Sequence, residues 1–283
     1  MTTFWYSYNL IGFQGEGVSE SIDRLARLGY DAVEVEGEPE RYDPKRIKKL
    51  ADDAGLAVSS VCPNFTAKRD LSHPEPEVRK AAQTYLREVS EFAAELNAPL
   101  FIVAPTAYAR VQPIAEPRDE WLWAVEGIRE AGQHAASLGV DLTLECWNRY
   151  GSYMLNRLDE GARMWSDTGL SNGGIMADTF HMNIEERTVA GAIRAFGDIL
   201  NHVHLSDSNR LAPGLGHVDF EEVLQVLTDV RYGGGLAFEL IPSLPNVLEE
   251  TEQPSFDDVA GQALDHMKEV ERRMADRQKT HPG

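Results

Sequence analysis

Basic side chains are scarce in this chain. Its 27 Lys and Arg stand against 46 Asp and Glu, a formal charge of −19. Phosphate backbones and anionic bilayers need local positive charge, so this balance argues against DNA, RNA and membrane surfaces as partners. Most of the surplus reads as solvated helix surface that favours solubility. Cysteine is nearly absent: Cys62 and Cys146 lie in or beside apolar strand-like runs and read as reduced, buried thiols rather than a disulfide. No run of 18 apolar residues occurs, so no spanning helix is expected. The N-terminus lacks a basic region followed by an apolar stretch, so no signal peptide is expected and the cytoplasm is the expected location. No Gly-x-Gly-x-x-Gly follows the first strand-like run, which leaves a dinucleotide fold without support. No low-complexity linker or internal repeat divides the chain.

What is present is an alternation. Strand-like runs fall at 4–10, 32–36, 57–62, 100–104, 141–146, 174–179, 200–205 and 236–241. Helical patterns fall at 20–28, 44–54, 76–96, 119–138, 159–166, 189–196, 220–229 and 257–275. In the fifth helix Ala162, Met164 and Trp165 recur at near-helical spacing; in the last, Val259, Ala263, Met267 and Val270 form an inward stripe. Gly29, Gly55, Gly139 and Gly169 stand just past helix ends, where a left-handed cap is wanted. Eight βα units predict a parallel sheet, and closure gives a single (β/α)8 TIM barrel with its active site at the C-terminal strand ends. An open doubly wound sheet is the runner-up; it would scatter those ends about a switch point. The barrel is expected over 1–276, with 277–283 as a frayed tail. Residues 242–254 read as an acidic loop after the last strand.

Four of these strands end on a chemically active residue: Glu145, Asp178, His204 and Glu239. A charged group closing a buried strand is costly unless something there uses it. Three carboxylates and one imidazole, brought together, suit one hard divalent cation, Mn²⁺, Mg²⁺ or Co²⁺, better than a Cys- and His-rich zinc site. Taken alone, Glu145 reads equally well as a structural ion-pair member, with Arg149 its nearest partner. Asp178 could cap a helix, but the next predicted helix begins eleven residues on, at Val189, so capping is set aside. His202 and His204 share one side of their strand; His204 is the better ligand, and His202 reads as structural. His73, His134, His217, His266 and His281 have surface or loop explanations. In the loop after strand seven, Arg210 sits beside the metal end, where a guanidinium can clamp substrate oxygens.

These residues carry a resemblance. Glu145-x-x-Asn148-Arg149-Tyr150, Asp178-Thr179-Phe180-His181-Met182-Asn183, His204 with Asn209-Arg210-x-x-Pro213-Gly214-x-Gly216, and Phe238-Glu239 are similar to the sugar isomerase/epimerase superfamily of xylose isomerase-like barrels, and most nearly to ketose 3-epimerases. The resemblance implies that Glu145, Asp178, His204 and Glu239 hold one divalent metal ion, Mn²⁺ first. It implies that Glu145 and Glu239 are the acid/base pair, and that His181 and Arg210 hold substrate oxygens near the carbonyl. It also implies a carbohydrate substrate and a homo-oligomer. One position departs: ketose 3-epimerases carry a glutamate directly after the Asn-Arg-Tyr/Phe segment, and here Gly151 and then Ser152 stand there.

The chemistry so implied is proton abstraction next to a carbonyl through a metal-bound enediolate. Return of the proton to the opposite face epimerises, return to the neighbouring carbon isomerises, and loss of a β-substituent eliminates. Three other readings follow. The chain also looks like the catalytic subunit of a C-glycoside deglycosidase, a lyase acting on 3-oxo-glycosides with a small partner subunit. A DNA repair endonuclease shares the barrel but needs a basic face. A non-catalytic sugar-binding protein would not need both presumptive base residues.

Overall fold

The computed structural model describes residues 4–241 and 254–280. Its eight strands are β1 (Tyr6–Asn9), β2 (Ala32–Gly37), β3 (Ala57–Pro63), β4 (Leu100–Val103), β5 (Asp141–Leu144), β6 (Gly173–Asp178), β7 (Leu200–Leu205) and β8 (Leu236–Phe238). All pair in parallel in sequence order, and β1 pairs with β8, so the sheet closes into a barrel. The helices are α1 (Val18–Leu28), α2 (Pro44–Ala54), α3 (Pro76–Glu95), α4 (Pro117–Ser137), α5 (Leu158–Thr168), α6 (Thr179–Glu185), α7 (Val189–Phe196), α8 (Phe220–Asp229) and α9 (Phe256–Thr280). The expected (β/α)8 barrel is therefore the observed one. None of these helices is long and apolar enough to cross a membrane.

The punctuation glycines behave as read. Gly29, Gly55, Gly139 and Gly169 all have positive φ, between 67° and 85°. The stripe Val259, Ala263, Met267 and Val270 is buried, and so are Met164 and Trp165. Both cysteines are free and buried. Two features differ from expectation. The short α6 follows β6 at once, because the Asp178 carboxylate caps it, so the capping role set aside from the sequence is real. The last helix runs through Thr280, so 277–280 is helical rather than frayed; Arg277 pairs with Glu221 of α8, and Lys279 with Asp276 at 3.0 Å. The predicted acidic loop lies almost wholly outside the described residues, as do 281–283 and with them His281.

The apolar core fills the space between strands and helices, while the barrel interior is largely polar. Ser7 bonds Ser59 at 2.7 Å, Ser59 bonds Ser60 at 2.9 Å, and Ser60 donates to Glu34 at 2.5 Å. Glu34 meets His202 at 2.8 Å. Strands β2 and β7 are not neighbours, so this contact crosses the interior. The network forms the floor on which the strand-end residues stand.

Closure between β5 and β6 leaves no room for a side chain at Gly173. Its φ is 130°, and a Cβ there would lie 1.8 Å from the Leu142 carbonyl oxygen. Gly173→Ala should cost about 3 kcal/mol or more, from the strained backbone together with the clash. Urea unfolding followed by circular dichroism checks this, and a wild-type midpoint would contradict it.

Candidate metal centre and active site

The barrel brings the predicted quartet together. Glu145 and Glu239 each lie one residue past the end of a strand, and their amides still bond the neighbouring strand, to Val103 O at 3.0 Å and Leu205 O at 3.2 Å. Asp178 ends β6 and His204 lies within β7. Each of the four offers a ligand atom, and these atoms all lie within 4.8 Å of one another. Three are buried and Glu239 is partly so. Three carboxylate oxygens and an imidazole nitrogen at that spacing fit one hard divalent cation. Arg210 marks the same place with positive charge. Its guanidinium bonds Asp178 at 2.6 and 2.8 Å, reaches Glu239, and lies over the Phe180 ring at 4.9 Å.

The charges explain one another. Burial disfavours the Asp178 carboxylate, but Arg210, His181 and His204 outweigh it and hold the group well below the usual carboxylate range. Burial pushes Glu145 up to about 7; Asp178 adds to the rise, while His204 and Arg210 oppose it. Burial disfavours the His204 imidazolium, yet Glu34 and Asp178 overcome it and raise the group to about 10. That rise reflects the excess of carboxylates around one ring.

Two residues that the sequence did not single out, Glu34 and Asn9, hold members of the quartet. Glu34 takes His204 Nε2 at 2.9 Å, which leaves Nδ1 facing Glu239 at 3.1 Å and Asp178 at 3.6 Å. A carboxylate on the far nitrogen fixes which nitrogen is free to ligate. Burial opposes the Glu34 charge, but the two histidines hold the carboxyl well below its usual range. The two imidazole contacts also explain the second acidic and imidazole cluster, Glu34 with His202 and His204, as a hydrogen-bonded support. Asn9 donates to Glu239 Oε1 at 3.3 Å and accepts from Ile11 N at 3.0 Å.

Asn148, part of the predicted motif, fixes His181. The Asn148 backbone N–H and side-chain amide lie 3.1 and 2.8 Å from His181 Nδ1. Asn148 Oδ1 accepts from Tyr150 N at 3.0 Å, which turns the amide NH₂ toward the ring. Nδ1 can then only accept, so the proton rests on Nε2, 3.8 Å from Glu145 and 3.9 Å from Asp178. Burial outweighs the pull of Asp178 and lowers this imidazole to about 4, so it is a neutral N–H donor aimed into the site. Arg149, the partner considered for Glu145, pairs instead with Glu185 at 2.8 Å on the exposed side. The Trp147 indole beside Glu145 favours the charged carboxylate.

The closed barrel is of the xylose isomerase-like TIM barrel kind. Residues 22–270 match that family, and the chain belongs to it. Among characterised relatives, the D-psicose 3-epimerase of Agrobacterium fabrum is 33% identical over 226 residues, 77% of each chain. The 3-dehydro-D-guloside 4-epimerase of Escherichia coli is 28% identical over 234 residues, 80% of this chain and 88% of the relative. The crystal structure of D-psicose 3-epimerase with D-tagatose from Clostridium cellulolyticum superposes with a TM-score of 0.86 at 26% identity, covering 94% of this chain and 99% of that one.

If Glu34 orients His204, Glu34→Gln should weaken Mn²⁺ binding about tenfold or more while leaving the fold intact, the range seen for such supporting partners. Calorimetric titration with Mn²⁺, alongside circular dichroism, measures it; unchanged affinity would remove Glu34 from the site.

Proposed function

We propose that the chain is a divalent-metal-dependent sugar epimerase that moves a proton next to a carbonyl. The observation that carries this reading is the placement of Glu145 and Glu239 after two different strands, β5 and β8, around one shared cation site. A divalent ion bound there supplies Lewis-acid polarisation of the sugar carbonyl. One glutamate takes the proton from the adjacent carbon, and the other returns one from the opposite face. Asn9 holds the Glu239 carboxylate in place. His181 offers its Nε2–H to a substrate oxygen, and Arg210 supplies a guanidinium beside it. Mn²⁺ is the preferred ion, with Mg²⁺ and Co²⁺ as alternates; the setting is cytoplasmic and the assembly a homo-oligomer.

The relatives support a ketose or a 3-oxo sugar as substrate, since they are named for psicose and a 3-dehydro-guloside, and one psicose epimerase is crystallised with D-tagatose. A second reading uses the same pair of glutamates for lyase cleavage of a 3-oxo-glycoside, with a small partner subunit. The observation favouring it is Gly151, where the side chain of Tyr108 rather than a carboxylate lies against the backbone.

The test is solvent exchange. With Mn²⁺ in D₂O, the chain should place deuterium beside the carbonyl of at least one member of a panel of ketoses and 3-oxo-glycosides, read by proton NMR. Glu239→Gln and Glu145→Gln should each lower the rate about a thousandfold. Chelation by EDTA should abolish exchange and added Mn²⁺ restore it. Wild-type rates in either variant would sink the acid/base assignment.

A further inference from the structure

Of the eight large apolar side chains that the described residues expose, four lie on two adjoining loops of the barrel mouth. Tyr108, Val111 and Ile114 follow β4, and Tyr150 follows β5. The two loops are tied together. Ala109 N donates to the Gly151 carbonyl at 2.8 Å, and Tyr153 N to the Arg110 carbonyl at 3.2 Å. The Arg110 guanidinium is anchored in turn by buried Asp70 at 2.8 Å and buried Glu120 at 2.7 Å. The apolar group therefore stands on a fixed base.

Within it, the Tyr108 ring stands edge-on to Trp147, with centroids 5.4 Å apart and planes at 80°. Trp147 rests on buried Phe65, with centroids 6.4 Å apart, and its indole lies close enough to Glu145 to favour the carboxylate. Gly151 makes the arrangement fit: a Cβ there would come within 3.2 Å of the Tyr108 ring and 3.3 Å of Trp147 Cβ. One end of this aromatic pair lies beside Glu145, and the other, Tyr108, is 64% exposed. An apolar surface that begins at a reacting group and runs outward suits a ligand with a polar head and an apolar extension. A free ketose has no such extension and leaves the outer part uncovered.

We propose that Tyr108 and Trp147, seated on Gly151, form a subsite for the apolar aglycone of a glycoside whose sugar ring lies at the metal centre. This rests on the sugar-site reading above and narrows its substrate to glycosides.

Calorimetry on the full chain with the phenyl glucosides of both anomers and with D-glucose tests it without requiring turnover. At least one phenyl glucoside should bind about tenfold more tightly than glucose, the scale of one aromatic contact. Tyr108→Ala should erase that preference, Tyr108→Phe keep it, and Gly151→Ala reduce it by displacing the ring. Tyr108 is exposed, so its loss leaves the core intact. Equal binding of glucoside and glucose, no binding of any of them, or a preference that survives Tyr108→Ala each overturns the proposal. So does an oligomer that Tyr108→Ala dissociates with the preference unchanged, because the patch is then a protein contact. Preferential binding of a phenyl glucoside with no deuterium exchange on any sugar leaves the subsite standing and removes the epimerase reading instead.

Discussion

Negative charge concentrated inside a barrel is the constraint to which the other features answer. Glu34, Glu145, Asp178 and Glu239 come from four strands or strand ends and crowd around a single imidazole, His204. Carboxylates taken out of water repel one another strongly, and the cost is tolerable only around positive charge. The protein supplies part of that charge itself, through His204 and the guanidinium of Arg210. A bound divalent cation would supply the rest. The polar barrel interior, the helix cap at Asp178 and the loop that carries Arg210 all serve this one electrostatic need.

The site is built in levels along the barrel axis. At the bottom, Ser7, Ser59, Ser60, Glu34 and His202 form a buried, bonded floor. Above it stand the quartet, His181 and Arg210. At the rim, the loops after β4 and β5 are braced by Arg110 and carry the aromatic side chains. Chemistry sits on the middle level, where geometry is over-determined. The rim side chains are exposed and lie apart from the buried charges below.

The barrel was legible because its signals are local and repeated: apolar runs, helix stripes, and glycines at four helix ends that do take positive φ. The quartet was legible because each member closes a strand and is hard to explain otherwise. Glu34 was not, because it lies mid-strand in Val33-Glu34-Val35-Glu36, where alternation reads as one more solvated face. In a closed barrel that face is the interior, and the sequence holds no sign that the interior is polar. Helix α6 escaped notice because seven residues cannot show a periodic stripe, and its start depends on a cap from a residue already assigned to metal. Arg149 looked like a partner for Glu145 by proximity in sequence, but the turn after β5 sends it outward to Glu185.

The double attachment of Asp178 has a consequence for how such a protein can diversify. Its carboxylate faces the cation site and also holds the first turn of the helix that carries His181. Replacing it would disturb the cation site and the placement of the His181 imidazole in one step, so the two cannot be tuned separately through this position. A lineage exploring new sugars from this scaffold would be pushed to vary residues such as Tyr108 and Gly151, and to inherit the centre unaltered.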